Sequence, residues 1–199
     1  MMKNRISLAA ALLAIGVTMS GCGFVKVVPI GQESEYTGEK KFDSSEESRS
    51  DWDQVVAEIT EKAEDLAEVL NGGGAVSEAA AVKGSAKIAA YDGEKSKKYL
   101  VLEVEGYTGD APVLIQVGGP NSTTAIRDIQ SLKGFESFTN QTEWSQYAKA
   151  LNKESASNVA EPLALDAGAE GKTATFVGAA VKSGTSSDII ITPVSLEVE

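Results

Sequence analysis

The sequence predicts an α+β, mainly β protein: an OB-like five-stranded Greek-key barrel with a helical crossover, preceded by an N-terminal helix. Three observations predict it. Apolar residues recur at three- and four-residue steps between positions 51 and 70. After Gly72-Gly73-Gly74 the period shortens toward two. The later elements then run strand, strand, strand, helix, strand, strand, the chain order of an OB barrel. Five strands with short turns and one long helical crossover fit a parallel α/β sheet poorly. A different small antiparallel α+β sheet is the rival architecture.

Residues 1–21 read as a leader. Lys3 and Arg5 give a basic start, a weakly apolar run extends from Ile6 to Met19, and Ser20-Gly21-Cys22 follows. That layout is a secretory signal, and the run is too short for a comfortable membrane span. Small residues ahead of a cysteine at this place are what a lipoprotein signal peptidase accepts. Cys22 is therefore the expected lipidation site, with the chain cut before it. The expected location is the cell envelope, lipid-anchored to the membrane on the extracytoplasmic side.

Residues 22–50 are expected to form a tether, partly docked through the apolar strip of Val25, Val27, Val28 and Ile30. Residues 51–74 read as a helix and a glycine-rich turn. Trp52, Val55, Val56, Ile59, Ala63, Leu66, Val69 and Leu70 share one face, Ser50 is the candidate cap, and Asn71 with the glycines stops the helix. Residues 75–199 hold the barrel. Its expected strands are Ala79–Tyr91, Tyr99–Tyr107, Pro112–Val117, Lys172–Val181 and Asp188–Val198. The crossover carries a short helical turn from about Thr123 to Leu132 and a helix from about Gln141 to Asn152. Asn140 with Glu143 resembles a capping box at its start.

Composition excludes several function classes. Cleavage would remove Lys3 and Arg5, leaving 16 basic against 29 acidic residues, a formal charge of −13. Such a chain repels nucleic acid and anionic headgroups, so no nucleic-acid partner is expected and basic protein surfaces or cationic ligands are favoured. Cys22 is the sole cysteine and there is no histidine. Intramolecular disulfides, Cys/His zinc sites, cysteine nucleophiles and a Ser-His-Asp relay are thereby removed. No metal or cofactor is expected. Asp51-Trp52-Asp53 starts like a calcium loop, but Val55 and Val56 stand where oxygen ligands belong.

Other motifs fail on context. Gly171-Lys172-Thr173 mimics the end of a P-loop, yet Asp166 replaces its first glycine and the segment leads into a strand. Lys182-Ser183-Gly184-Thr185 resembles a motif of penicillin-recognising enzymes, but no serine has lysine three positions later, so it reads as a turn. Asn121-Ser122-Thr123 and Asn140-Gln141-Thr142 fit the glycosylation triplet, and both asparagines read instead as caps of helix starts. Glu136 and Glu143 flank the aromatic stretch Phe135–Trp144 and are the candidates for paired-carboxylate glycan chemistry.

Aromatic faces beside amides suit a neutral polar ligand such as a sugar, or a partner contact, while the favoured reading of Phe135, Phe138 and Trp144 is as plugs under the barrel. An OB barrel presents its second and third strands to ligands. The candidate contact residues are accordingly Tyr99, Tyr107, Arg127, Asn140, Gln141 and Trp144, with Lys95, Lys97 and Lys98 nearby. Arg127 is expected to pair with Asp128 or Glu136.

Val27-Val28-Pro29-Ile30, Phe42-Asp43, Trp52-Asp53, Ala125-Ile126-Arg127-Asp128, Phe138-Thr139-Asn140-Gln141 and Ile191-Thr192-Pro193-Val194 occur in that order. Together they resemble a domain-of-unknown-function family of predicted periplasmic lipoproteins, often encoded beside sugar ABC-transporter genes. The resemblance implies no catalytic residues and a link to carbohydrate import. The expected role is a non-enzymatic, lipid-anchored binding or accessory module whose partner is an ABC importer or its substrate-binding protein. A carboxylate-based glycan hydrolase and a structural envelope lipoprotein are the alternatives.

Overall fold

The computed structural model describes residues 42–75, 78–93 and 96–199. The leader, Cys22, the apolar strip at 25–30 and Lys95 lie outside the described residues. Helix α1 spans Ser44–Lys62. Asp43, rather than Ser50, is its cap: the carboxylate accepts from the Ser45 and Glu46 N–H groups at 2.9 and 3.2 Å. Glu46 and Glu47 in the first turn complement the positive end of the dipole. Residues 44–50, expected in the tether, are therefore helical. Their apolar-poor sequence hid a start that capping chemistry encodes.

The helix also ends earlier than its periodicity suggests. Ala63 turns to extended geometry, and Glu64–Asp65 pair in parallel with Val82 and Lys83. Helix α2, Leu66–Asn71, then restarts, with Asp65 accepting from the Glu68 N–H at 3.1 Å. The apolar positions 52–70 do not share one face of one helix. Trp52, Val55 and Ile59 enter one core, whereas Leu66 and Leu70 enter another.

Five strands follow: β1 Ala80–Asp92, β2 Lys98–Glu103, β3 Val113–Gly118, β4 Thr173–Lys182 and β5 Ile189–Val198. β1 pairs antiparallel with β2 and β4, β2 with β3, and β4 with β5, while β3 and β5 are parallel. The ring β1-β2-β3-β5-β4-β1 is closed, as the element order predicted. Only the second strand is markedly shorter than expected, leaving Tyr107 in the following loop. Alternation places Val82, Ile88, Leu100, Ile115, Phe176 and Ile191 in the barrel interior, all at most 2% exposed.

Between β3 and β4 the chain forms α3, Ala125–Ile129, a 3-10 turn at Phe135–Ser137, and α4, Gln141–Ser155. α4 continues as a π turn through Ala160. Helices α1, α3 and α4 cover the outside of the barrel. Trp52, Val55, Ile59, Ile126, Tyr147 and Leu151 pack there with outward-facing Ala81, Ala179 and Val194. Fully burying a side chain such as Ile59 or Leu151 stabilises by about 1.5–3 kcal/mol. Residues Phe42–Glu199 form one compact unit.

Gly119 shows how tightly the β2–β3 end is built. Its φ is +75°, and a Cβ there would overlap the carbonyl oxygen of Ser96. The Lys182–Thr185 tetrapeptide is the β4–β5 turn, with the Ser183 N–H donating to Asp188 O at 2.7 Å.

Candidate functional site

The crossover between α3 and α4 carries the most distinctive surface. α3 ends at Ile129, and the loop after it is braced from several sides. The buried Gln130 side chain donates to Arg127 O at 3.1 Å and Lys133 O at 2.7 Å, and accepts from the Lys133 N–H at 2.9 Å. The Ser131 hydroxyl and N–H both donate to the Glu58 carboxylate of α1, at 2.6 and 2.9 Å. Burial pushes the Glu58 carboxyl upward, but hydrogen bonds from Lys62 and Ser131 outweigh it and leave its pKa lowered.

Lys133 reaches into α1, pairing with Glu47 and, at 2.6 Å, with Asp51. Asp51 is 8% exposed and also accepts the Tyr147 hydroxyl at 2.8 Å. Burial lowers the lysine's proton affinity, yet the Asp51 and Glu47 contacts prevail and its pKa is raised. A cation, two carboxylates and a phenol thus pin the loop to α1 and α4.

This braced loop holds Leu132 and Phe135 outward, 41% and 50% exposed. Phe135 stands edge-on to Trp144, with centroids 6.4 Å apart. Trp144 contacts Phe138 and lies near Tyr147, and Phe138 meets Phe42 edge-on at 5.5 Å. The Arg127 guanidinium lies 4.4 Å above the Trp144 ring while donating to Asp128 at 2.5 Å. A chain of rings therefore runs from a buried tyrosine to a half-exposed phenylalanine.

The structure brings some of the sequence candidates together. Arg127 and Trp144 are in contact, and Arg127 pairs with Asp128 rather than Glu136. Asn140 caps α4, its amide oxygen accepting from the Thr142 and Glu143 N–H groups at 2.9 and 3.0 Å. Glu143 accepts from the Thr139 N–H at 2.9 Å, one residue earlier than an ordinary capping box. Gln141 is exposed at the first residue of the helix. Phe138 and Trp144 pack in the helical layer outside the barrel, which corrects the reading of them as plugs beneath it.

Tyr99 and Tyr107 sit apart from this surface. Tyr99 lies on β2, half-buried, beside the β4–β5 turn, and burial, then Asp188 and Asp92, raise its pKa. Tyr107 packs on the barrel interior cluster and lines a small cavity of about 190 Å³ with Leu70 and Lys182. Asn121 forms a local turn with Thr123 and donates to Thr192 Oγ1 at 2.8 Å, so it does not cap α3. Sequence reasoning missed Leu132, Lys133, Asp51, Glu47 and Tyr147. The local signal was a cation, Lys133, directly after Leu132 and two residues before Phe135.

Among the described residues, no group of three or more His, Cys, Asp or Glu side chains is placed to hold a metal ion. No helix among them is long and apolar enough to cross a membrane.

Comparison with known proteins agrees with this architecture. The crystal structure of an OB-fold protein from Thermotoga maritima superposes with a TM-score of 0.58 at 18% identity, covering 80% of this chain and 100% of that one. The likeness concerns the fold. No curated protein matches the sequence. The family described as "Predicted periplasmic lipoprotein (DUF2291)" matches residues 12–197. The chain belongs to that family, in keeping with the resemblance in its sequence, and is a lipoprotein of the cell envelope associated with the membrane through a lipid anchor.

Proposed function

We propose that this lipoprotein is a non-enzymatic binding module that holds a protein partner through the braced loop at Leu132–Phe135 and the adjoining Trp144 and Arg127. The observation that carries the reading is the pairing of rigidity with exposure. Leu132 and Phe135 face solvent on a loop tied down by Glu58, Glu47 and Asp51. Apolar side chains already fixed in place lose little entropy on docking, and Trp and Arg are the residues most enriched at binding hot spots. The formal charge of −11 favours a partner with a basic surface. Glu143, one of the two carboxylates considered for glycan hydrolysis, is engaged as a helix-start acceptor, which gives the hydrolase reading no support.

The finer reading is that the partner belongs to a carbohydrate ABC importer, either its membrane subunits or its substrate-binding protein. This rests on the gene neighbourhood that the family resemblance implies and on the shared extracytoplasmic location. The test is surface plasmon resonance with the mature lipoprotein captured on a supported bilayer and purified importer components as analyte. Phe135→Ser and Leu132→Ser are expected to weaken binding by about tenfold each, with an unchanged circular dichroism spectrum. Binding that both variants leave intact, or absence of binding to every importer component, refutes the reading.

A further inference from the structure

A second cavity, which Leu132 and Phe135 do not line, lies where β2 begins, beside the 122–124 loop and the β4–β5 turn. It has a volume of about 480 Å³, within the range of small-molecule sites. Val181 and Ile190 give it an apolar floor, and the half-buried Tyr99 forms one wall. Its polar lining is rich in donors. Lys97 and Lys182 line it without a carboxylate partner among the described residues, and the Lys97 ammonium donates to Ser122 Oγ at 3.4 Å, leaving that hydroxyl's proton to point elsewhere. The Tyr99 hydroxyl makes no hydrogen bond among the described residues and is a neutral donor, its pKa raised by burial and then by the charges of Asp188 and Asp92. Asp188 is the one carboxylate in the lining, and it already accepts from the Ser186 hydroxyl at 2.6 Å.

The walls are preformed. Asn121 donates to Thr192 Oγ1 at 2.8 Å, and the buried Asn152 amide donates to Thr123 O at 2.8 Å, so the 121–124 loop is anchored from behind. The close approach of Gly119 to Ser96 fixes the start of β2, and hence Lys97. The Ser183 and Thr185 hydroxyls rim the opposite side 3.2 Å apart, and Ser183 Oγ also accepts from the Thr185 N–H at 3.3 Å, so a hydroxyl proton of this pair can turn toward ligand hydroxyls.

We infer that this cavity binds a small polyhydroxylated anion, the two lysines and the Tyr99 hydroxyl meeting its charged end and the Ser183–Thr185 rim meeting its hydroxyl groups. An excess of donors over free acceptors, with two cations against one carboxylate in the lining, selects a ligand that accepts and is negative, against the acidic field of the chain as a whole. A sugar acid and a sugar phosphate both present that chemistry.

Titration calorimetry of the mature lipoprotein in detergent tests it, using glucuronate, glucose 6-phosphate, glucose and inorganic phosphate as probes. At least one of the two anionic sugars is expected to bind, with glucose weaker by about tenfold, and Lys97→Met and Lys182→Met each weakening binding about tenfold. Which anionic sugar binds more tightly assigns the carboxylate or the phosphate source. Tyr99→Phe should weaken it severalfold, and Phe135→Ser should leave it unchanged, which separates this site from the partner surface. Absence of binding by both anionic sugars overturns the inference. So does glucose or inorganic phosphate binding as tightly as they do, or wild-type affinity in both lysine variants.

Discussion

Tyr147→Phe isolates the interaction that ties the braced loop to the helical layer. The ring is fully buried and packs against Phe138 and Trp144, so removing only the hydroxyl preserves apolar contact. What is lost is the 2.8 Å hydrogen bond to Asp51, whose carboxylate keeps Lys133 as a partner. A hydrogen bond to a charged, nearly buried group contributes about 1.5–3 kcal/mol, and the surviving ion pair places the expected loss near ~2 kcal/mol. For a domain of this size that lowers Tm by roughly 4–8 °C, measurable by calorimetry or circular dichroism. The Asp51→Asn and Tyr147→Phe double mutant should show a coupling of about 1 kcal/mol, because Asp51→Asn leaves a neutral acceptor for the hydroxyl whereas Tyr147→Phe removes the bond altogether. Alkali gives an independent signature. Burial, then the Asp51 hydrogen bond and the charges of Asp51 and Glu47, raise the Tyr147 pKa. Above about pH 10 the unfolded chain releases a proton that the folded chain retains, so this stabilisation is complete below that pH and declines above it. Tyr147→Phe should remove that share of the alkaline decline. A Tm within about 1 °C of wild type, or an unchanged alkaline slope, refutes the assignment of Tyr147 as a brace.

Further outcomes follow from other contacts. Glu58 has a lowered folded pKa, so its stabilisation is present at neutral pH and lost as pH falls below the ordinary value near ~4.3; urea midpoints of wild type should fall more steeply between pH 6 and 3 than those of Glu58→Gln. At pH 7 the same variant should cost about 1 kcal/mol, since it weakens the Ser131 and Lys62 bonds together. Asn140→Ala should destabilise by about 1 kcal/mol through loss of the α4 cap, whereas Asn140→Asp should be nearly neutral in the same denaturation assay. Cys22→Ser should abolish incorporation of labelled fatty acid and release the protein from the membrane fraction or leave it uncleaved, while the Tm of the folded unit stays unchanged; retained labelling would show that Cys22 is not the anchor.

The strands and the OB order were written in the sequence because each strand is a local alternation punctuated by glycine or proline. Val82, Ile88, Leu100, Ile115 and Ile191 each announce an inward face without reference to any partner. The envelope location was legible for a similar reason: a basic start, an apolar run and a cysteine are contiguous. The α4 cap at Asn140 was likewise local. Periodicity failed where local chemistry competed with it. Asp43 starts α1 well ahead of the helix's first apolar residue, Trp52, and Asp65 restarts a helix inside a pattern that never lost its three- and four-residue steps.

Only the tertiary structure decided that Trp52 and Leu66 serve different cores, since that depends on which side of the barrel wall each helix meets. It alone placed Arg127 over Trp144, and it alone separated Tyr99 and Tyr107 from both. The ties that hold the Leu132–Phe135 loop to α1 had no local signal beyond the cation Lys133 itself. Its braces, Glu47, Asp51 and Glu58, lie on a helix more than seventy residues earlier in the chain. Long-range ion pairs are set by how helices seat on a closed barrel, and no window of sequence contains both ends of such a contact.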